Sequence, residues 1–174
     1  MIISVVVLGL VTVQRLAELV IARRNTARLK GRGAHEVGAG HYPFVVALHA
    51  AWLAGLWILA WNRPISLAWL GVFLVLQALR VWVLLTLGER WTTRIIVLPA
   101  APLVAKGPYR VLSHPNYAVV VGEIAVLPIA FGLFYFAGIF SVLNAAMLWV
   151  RIRAEARALS GAAPSRIQTP VEHA

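Results

Sequence analysis

Residues 117–150, YAVVVGEIAVLPIAFGLFYFAGIFSVLNAAMLWV, decide the fold. The stretch carries one carboxylate, Glu123, and no basic residue. As a single helix its 34 residues would run about 50 Å, against a hydrocarbon core of roughly 30 Å. Pro128, Gly132 and Gly138 punctuate it. Two helices joined by a tight turn near Phe131–Tyr135 fit better, which makes a helical hairpin. Working outward, three more apolar runs have spanning length: Ile2–Ala22, Pro43–Trp61 and Leu67–Gly88. The first lacks a basic start and runs straight into Arg23 and Arg24, so it reads as a retained anchor, not a signal peptide. The expected fold is all-α: an integral membrane bundle of five transmembrane helices in one domain, residues 1–160. The last two helices form the hairpin, a long loop precedes the fourth, and residues 161–174 are a mobile tail.

Composition agrees. Hydrophobic residues make up 61% of the chain and charged residues only 13%, half the share usual for a soluble domain. Such hydrophobicity excludes disorder. The absence of Cys excludes disulfides, thiolate zinc sites, iron–sulfur clusters and thiol nucleophiles. Sixteen basic residues stand against six acidic ones. They concentrate in three segments: 23–42, 89–116 and the stretch from Arg151 onward. A five-span topology puts all three on one side, and basic flanks mark the cytoplasmic side. The charge is therefore a topology signal with anionic lipid headgroups as partner, not nucleic acid. The expected location is a bacterial inner membrane, with the N-terminus outside and the C-terminus cytoplasmic.

Polar residues inside the spans share one depth. Arg15, Glu18, His49, Gln77, Arg80, Glu123 and Asn144 all fall in the half nearest the basic segments. Singly, each reads as a local pair or a packing residue. Together they suggest a pocket open to one side, because intramembrane charges mark functional sites. The loop 89–116 is long, yet it is rich in Trp, Ile, Val, Tyr and Pro, so it is expected to pack as extended backbone along one pocket wall.

Two motifs lie on this face. Gly107-Pro108-Tyr109-Arg110-x-x-x-His114-Pro115-x-Tyr117 opens the fourth span, and Arg151-x-Arg153-x-Glu155 closes the fifth. They resemble the isoprenylcysteine carboxyl methyltransferases and related membrane phospholipid methyltransferases. Gln14-Arg15-x-x-Glu18, Arg24-Asn25, Gly33-Ala34-x-Glu36, His41-Tyr42-Pro43 and Arg90-Trp91-Thr92-Thr93-Arg94-Ile95-Ile96 resemble a bacterial branch often encoded beside type III polyketide synthases. The likeness covers roughly residues 14–159. One departure stands out: the family commonly has two acidic residues in the final motif, whereas here Ala156 follows Glu155.

The resemblance implies S-adenosylmethionine as cofactor, no metal, and a lipophilic small-molecule acceptor. A lipophilic carboxylate or an acidic enol or phenol, alkylpyrone-like, is expected to be methylated on oxygen, with a prenylated cysteine carboxylate as the second choice. The cofactor-binding candidates are Tyr109, His114, Pro115, Tyr117, Arg151, Arg153 and Glu155. Glu155 suits the cofactor's ammonium, Arg151 or Arg153 its carboxylate, and Tyr109 and Tyr117 offer aromatic faces to adenine or the sulfonium. His114 suits the ribose or the carboxylate, and Pro115 suits a first helical turn. The catalytic candidates are Arg94, Arg80 and Glu123, an arginine being placed to orient the acceptor oxyanion. The acceptor would arrive sideways from the bilayer, past Trp52, Trp57 or Trp82. Outside the enzyme class, a small transporter or a non-catalytic scaffold remains open.

Overall fold

The computed structural model describes residues 2–99, 101–102 and 104–161, with side chains to residue 157. The expected tail lies outside the described residues except for Gly161, which closes the last helix. Five α-helices follow in order: α1 (Ile2–Gly31), α2 (Tyr42–Ala60), α3 (Leu67–Leu87), α4 (Pro115–Ala130) and α5 (Phe134–Gly161). Four are long and apolar enough to cross a membrane, while α4 has 16 residues and is shorter. At 1.5 Å per residue α4 extends about 24 Å, below the thickness of a hydrocarbon core.

The helices bury narrow seams and expose apolar faces. In α1 the buried positions are Ser4, Leu8, Val11, Glu18, Ala22, Asn25 and Leu29. They recur at steps of three, four and, once, seven, the period of a packed heptad seam. Between them Leu10 is 66% exposed and Leu16 58%. Water would not tolerate this surface on every long helix, whereas lipid solvates it and leaves polar groups to be paired internally. The chain is an integral membrane protein.

The core forms around α4, which buries Val119, Glu123, Ile124 and Leu127. Pro128 lies inside that helix and has no N–H, so the Ile124 carbonyl loses its helical donor. The indole N–H of Trp52 replaces it at 3.2 Å. Trp52 is fully buried, where an unpaired indole or carbonyl would each be costly. The turn after α4 is a Schellman motif. Leu133 N–H donates to Pro128 O and Gly132 N–H to Ile129 O, both at 2.9 Å, with Gly132 at φ +71°. The expected hairpin thus closes over residues 131–133.

One element departs from an all-helical architecture. Strand β1 (His35–Val37) pairs antiparallel with β2 (Ile95–Val97), Glu36 opposite Ile96. This ribbon ties the segment after α1 to the loop after α3, above the end of the bundle where the basic residues gather. Strands of three residues are too short to show an alternating pattern in sequence.

Candidate functional site

The intramembrane charges converge on one network. Glu18 on α1 and Glu123 on α4 face Arg15 on α1 and Arg80 on α3. Arg15 reaches Glu18 at 3.0 Å and Glu123 at 2.7 Å. Arg80 donates from Nη1 to Glu18 at 3.0 Å, from Nε to Glu123 at 2.6 Å, and from Nη2 to the other Glu123 oxygen. The Gln77 amide donates to Glu123 at 2.8 Å, and Gln14 bridges Gln77 and Glu18. Two arginines and two glutamates cancel, as buried charge must. All three nitrogens of Arg80 are spent on carboxylates. Arg80 and Glu123, both candidates for catalysis, thus also brace the bundle, and each Nη of Arg80 carries a second N–H beyond these bonds.

Beside this network lies a cavity of about 270 Å³. Arg15, Glu18 and Arg80 form part of its wall, with His49 and Asn144 beside them. Leu16, Leu19, Val45, Val46, Leu53, Val120 and Leu148 make the rest of that wall apolar. Leu16 and Val46 also belong to the outer surface of α1 and α2, exposed by 58% and 39%. The cavity thus borders the lipid-facing surface on the α1–α2 side. Trp52 lines it; Trp57 instead donates to Thr12 at 2.9 Å and packs on the core. Trp82 is half exposed and is not part of the wall.

Two motif residues, Tyr117 and Arg151, line the basic end of the cavity, and His114 and Glu155 contact Tyr117 from outside the wall. Tyr117, in the first turn of α4, donates to Glu155 of α5 at 2.9 Å. The His114 ring stacks on Tyr117 with centroids 5.1 Å apart, and its Nδ1 lies 3.8 Å from the same carboxylate. The Arg151 guanidinium sits 5.7 Å from the Tyr117 ring centroid and donates to the Thr93 carbonyl at 3.0 Å. Its Nε is buried without a hydrogen-bond partner. Pro115 is the first residue of α4 and is buried. Tyr109 packs against the Trp91 cluster. Its phenol is pushed up to about 12, first by burial and then by the Glu155 carboxylate and Tyr117, so it stays protonated.

Two candidates lie apart from this cluster. Arg153 follows Arg151 by two residues, a rotation of about 200° on a helix. It stacks on Trp149 at 3.7 Å, on the opposite face of α5. Arg94 is not part of the cavity wall; it pairs with Glu36 and lies over the Tyr42 ring at 4.0 Å. Thr93 and Tyr42, joined at 3.1 Å, are wall residues instead. They had stood out only as parts of quoted motifs. The loop 89–116 does form a wall, through Trp91, Thr92, Thr93 and Asn116.

The sequence profile of the isoprenylcysteine carboxyl methyltransferase family matches residues 69–161. The chain belongs to that family. It is therefore related to membrane methyltransferases, and the matched region includes α4, α5 and both motifs. An "Uncharacterized protein YpbQ" of Bacillus subtilis (strain 168) is 42% identical over 157 residues, covering 87% of this chain and 94% of the relative. No solved structure matches the chain. Within this methyltransferase, the departure at Ala156 falls on an exposed position of α5, while the retained acid, Glu155, faces Tyr117 and His114.

The ribbon above the site has its own electrostatic clamp. Glu36 accepts hydrogen bonds from Lys30 at 2.8 Å and from Arg94. Burial raises its carboxyl, but those two bonds and charges outweigh burial and hold it below the usual range. A depressed folded pKa stabilises above the unfolded value of about 4.3 and ceases to do so as pH falls through the folded value. Amide protection of the ribbon, corrected for intrinsic exchange, is therefore expected to fall on acidification from pH 6 to pH 3. Glu36→Gln should already show the lower protection at pH 6. Unchanged protection across that interval in the unmodified chain would contradict the assignment.

Proposed function

We propose that the chain is an S-adenosylmethionine-dependent O-methyltransferase acting on a lipophilic carboxylic acid or acidic enol or phenol drawn from the membrane. The observation that carries this reading is the joining of the His114–Tyr117–Glu155–Arg151 cluster to an apolar cavity that borders the lipid-facing surface. Bound there, S-adenosylmethionine would supply an electrophilic methyl group on sulfur. The residues suit it: Glu155 as partner for the ammonium, the unpartnered Arg151 Nε as donor to the carboxylate, and the stacked His114–Tyr117 pair as an aromatic face. The cavity's contribution is positioning and exclusion of water. The same reading puts the basic end in the cytoplasm of a bacterial inner membrane, where a water-soluble donor is met and anionic headgroups hold the arginines.

The test is thermal stabilisation of the detergent-purified chain by S-adenosylhomocysteine. At a ligand concentration of 100 Kd, linkage amounts to about 2.7 kcal/mol, and a clear upward shift in Tm is expected. No shift at saturating ligand would favour a scaffold or a transporter. The lateral route carries a separate expectation. Ala50 lies on the cavity wall and is exposed on α2. Ala50→Phe should shorten the longest acceptor tail methylated while leaving S-adenosylhomocysteine affinity within about twofold, since isolated surface changes are nearly neutral. Equal losses in both would argue against access through the α1–α2 side.

A further inference from the structure

Resting on the methyltransferase reading above, we propose that His49 is the general base of the transfer and that the acceptor is a neutral hydroxyl, an enol or phenol, not a carboxylate. The argument begins with hydrogen bonds. His49 sits in the middle of α2, and its Nδ1 is 2.9 Å from the carbonyl of Val45, one turn earlier. A carbonyl only accepts, so Nδ1 carries the proton of that bond. In the neutral ring Nε2 is then the acceptor, and no residue described here occupies it. His49 lines the cavity. The ring thus offers a lone pair to whatever fills that cavity, with its tautomer fixed by the helix backbone.

The charges around it select the substrate. From α1 Arg15 and Glu18 face the cavity, from α3 Arg80, from α5 Arg151 and from α4 Tyr117, with Tyr42 on the ring's own helix. Glu123 of α4 closes the network behind them. Arg15 and Arg80 are both committed to Glu18 and Glu123. The floor of the cavity is therefore electrically neutral. A carboxylate head would bring a negative charge onto a network whose own charges already cancel, with only single unpartnered donors such as the Nε of Arg15 and of Arg151 to meet it, and burying such a charge is costly. A hydroxyl head enters uncharged and must lose its proton as it reacts.

Nε2 takes that proton. The oxygen lone pair forms the new O–CH3 bond, the C–S bond breaks, and its electron pair remains on sulfur as the thioether of S-adenosylhomocysteine. The positive charge passes from sulfur to the imidazolium, beside a network in which Arg15 and Arg80 balance Glu18 and Glu123. The ring returns its proton to solvent after product leaves.

The experiment uses the full chain in lipid nanodiscs. The first measurement contains no methyl donor: 4-dodecyl-2-nitrophenol is titrated in, and phenolate absorbance of the bound probe is followed against pH. The His49→Gln variant is expected to shift the bound probe's ionisation midpoint upward by about one unit or more, because the proton acceptor is gone. The second measurement is methyl transfer. With 4-dodecylphenol, His49→Gln is expected to lose on the order of 10²-fold at pH 7. The loss should shrink as the pH approaches phenol ionisation near about 10. Tetradecanoate, already ionised, is expected to be the poorer acceptor in the parent, and the slower transfer to it should change less than about threefold in His49→Gln, since it has no proton to lose. His49→Asn should behave alike, and S-adenosylhomocysteine should stabilise both variants as it does the parent, which shows them folded. Identical probe midpoints, a loss independent of pH, or equal losses on both acceptors would overturn the assignment. Failure of S-adenosylhomocysteine to stabilise the parent would instead strike the methyltransferase reading, and the donor-free probe titration would still decide the role of His49.

Discussion

Arg80→Leu is expected to destabilise the detergent-solubilised bundle by roughly 3–5 kcal/mol, read as a lowered midpoint in SDS titration. Glu123 is fully buried and accepts from Arg80, Arg15 and Gln77. Removing Arg80 leaves two carboxylates facing one arginine, with no water to solvate the surplus. The cost is that of an uncompensated buried charge, not of one lost hydrogen bond. The double change Arg80→Leu with Glu123→Leu removes one charge of each sign and leaves Arg15 paired with Glu18 at 3.0 Å. It should therefore be more stable than Arg80→Leu alone, because replacing both partners of a buried pair by apolar residues is often close to neutral. Strict additivity of the two single changes would show that Arg80 and Glu123 do not act as a pair. A small effect of Arg80→Leu on stability, accompanied by a large effect on transfer, would return Arg80 to the acceptor oxygen as first expected from the sequence.

Much of this architecture is legible in the chain because lipid imposes simple rules. Spanning length and internal pairing of polar groups were enough to find the helices and to expect Arg15, Glu18, Gln77, Arg80 and Glu123 at one level. All five meet in one network. Their consequence was harder to read. Sequence shows charges at a shared depth, but only the helix rotations show that they neutralise one another. The seam of α1 is obscure for a related reason: its buried positions include Ser4, Glu18 and Asn25, while its exposed positions are apolar. The Asn25 amide is buried because it donates to the Gly88 and Trp91 carbonyls at 3.2 and 2.8 Å, holding the loop after α3 against α1. No pattern within α1 announces partners more than sixty residues away. The ribbon escapes for the same reason, since its pairing is long-range and its strands too short for a period.

The final motif shows the limit most clearly, and it yields the sharper prediction. Arg151 and Arg153 are indistinguishable as residue types, and helix geometry says only that they face apart. Packing decides between them. Arg151 is buried among Tyr117, Thr93 and the cavity, with one guanidinium nitrogen unpartnered. Arg153 is exposed and lies on Trp149, four residues earlier on its own helix. Under the proposed function, Arg151→Gln removes the cation of a buried, hydrogen-bonded charge pair with the cofactor carboxylate. Such truncations cost about 2–5 kcal/mol, so the dissociation constant for S-adenosylhomocysteine should rise by on the order of thirtyfold or more. Arg153→Gln loses an exposed cation–π contact of about 0.5–1 kcal/mol, which acts on the helix surface, and should leave that constant within about threefold. Equilibrium binding of S-adenosylhomocysteine to each purified variant measures the contrast. Because Arg151 also holds the Thr93 carbonyl, Arg151→Lys provides a control: it keeps the charge but loses the planar fork, and should recover part of the affinity. A larger loss for Arg153→Gln than for Arg151→Gln would mean that the donor lies on the opposite face of α5. The His114–Tyr117–Glu155 cluster would then be structural packing.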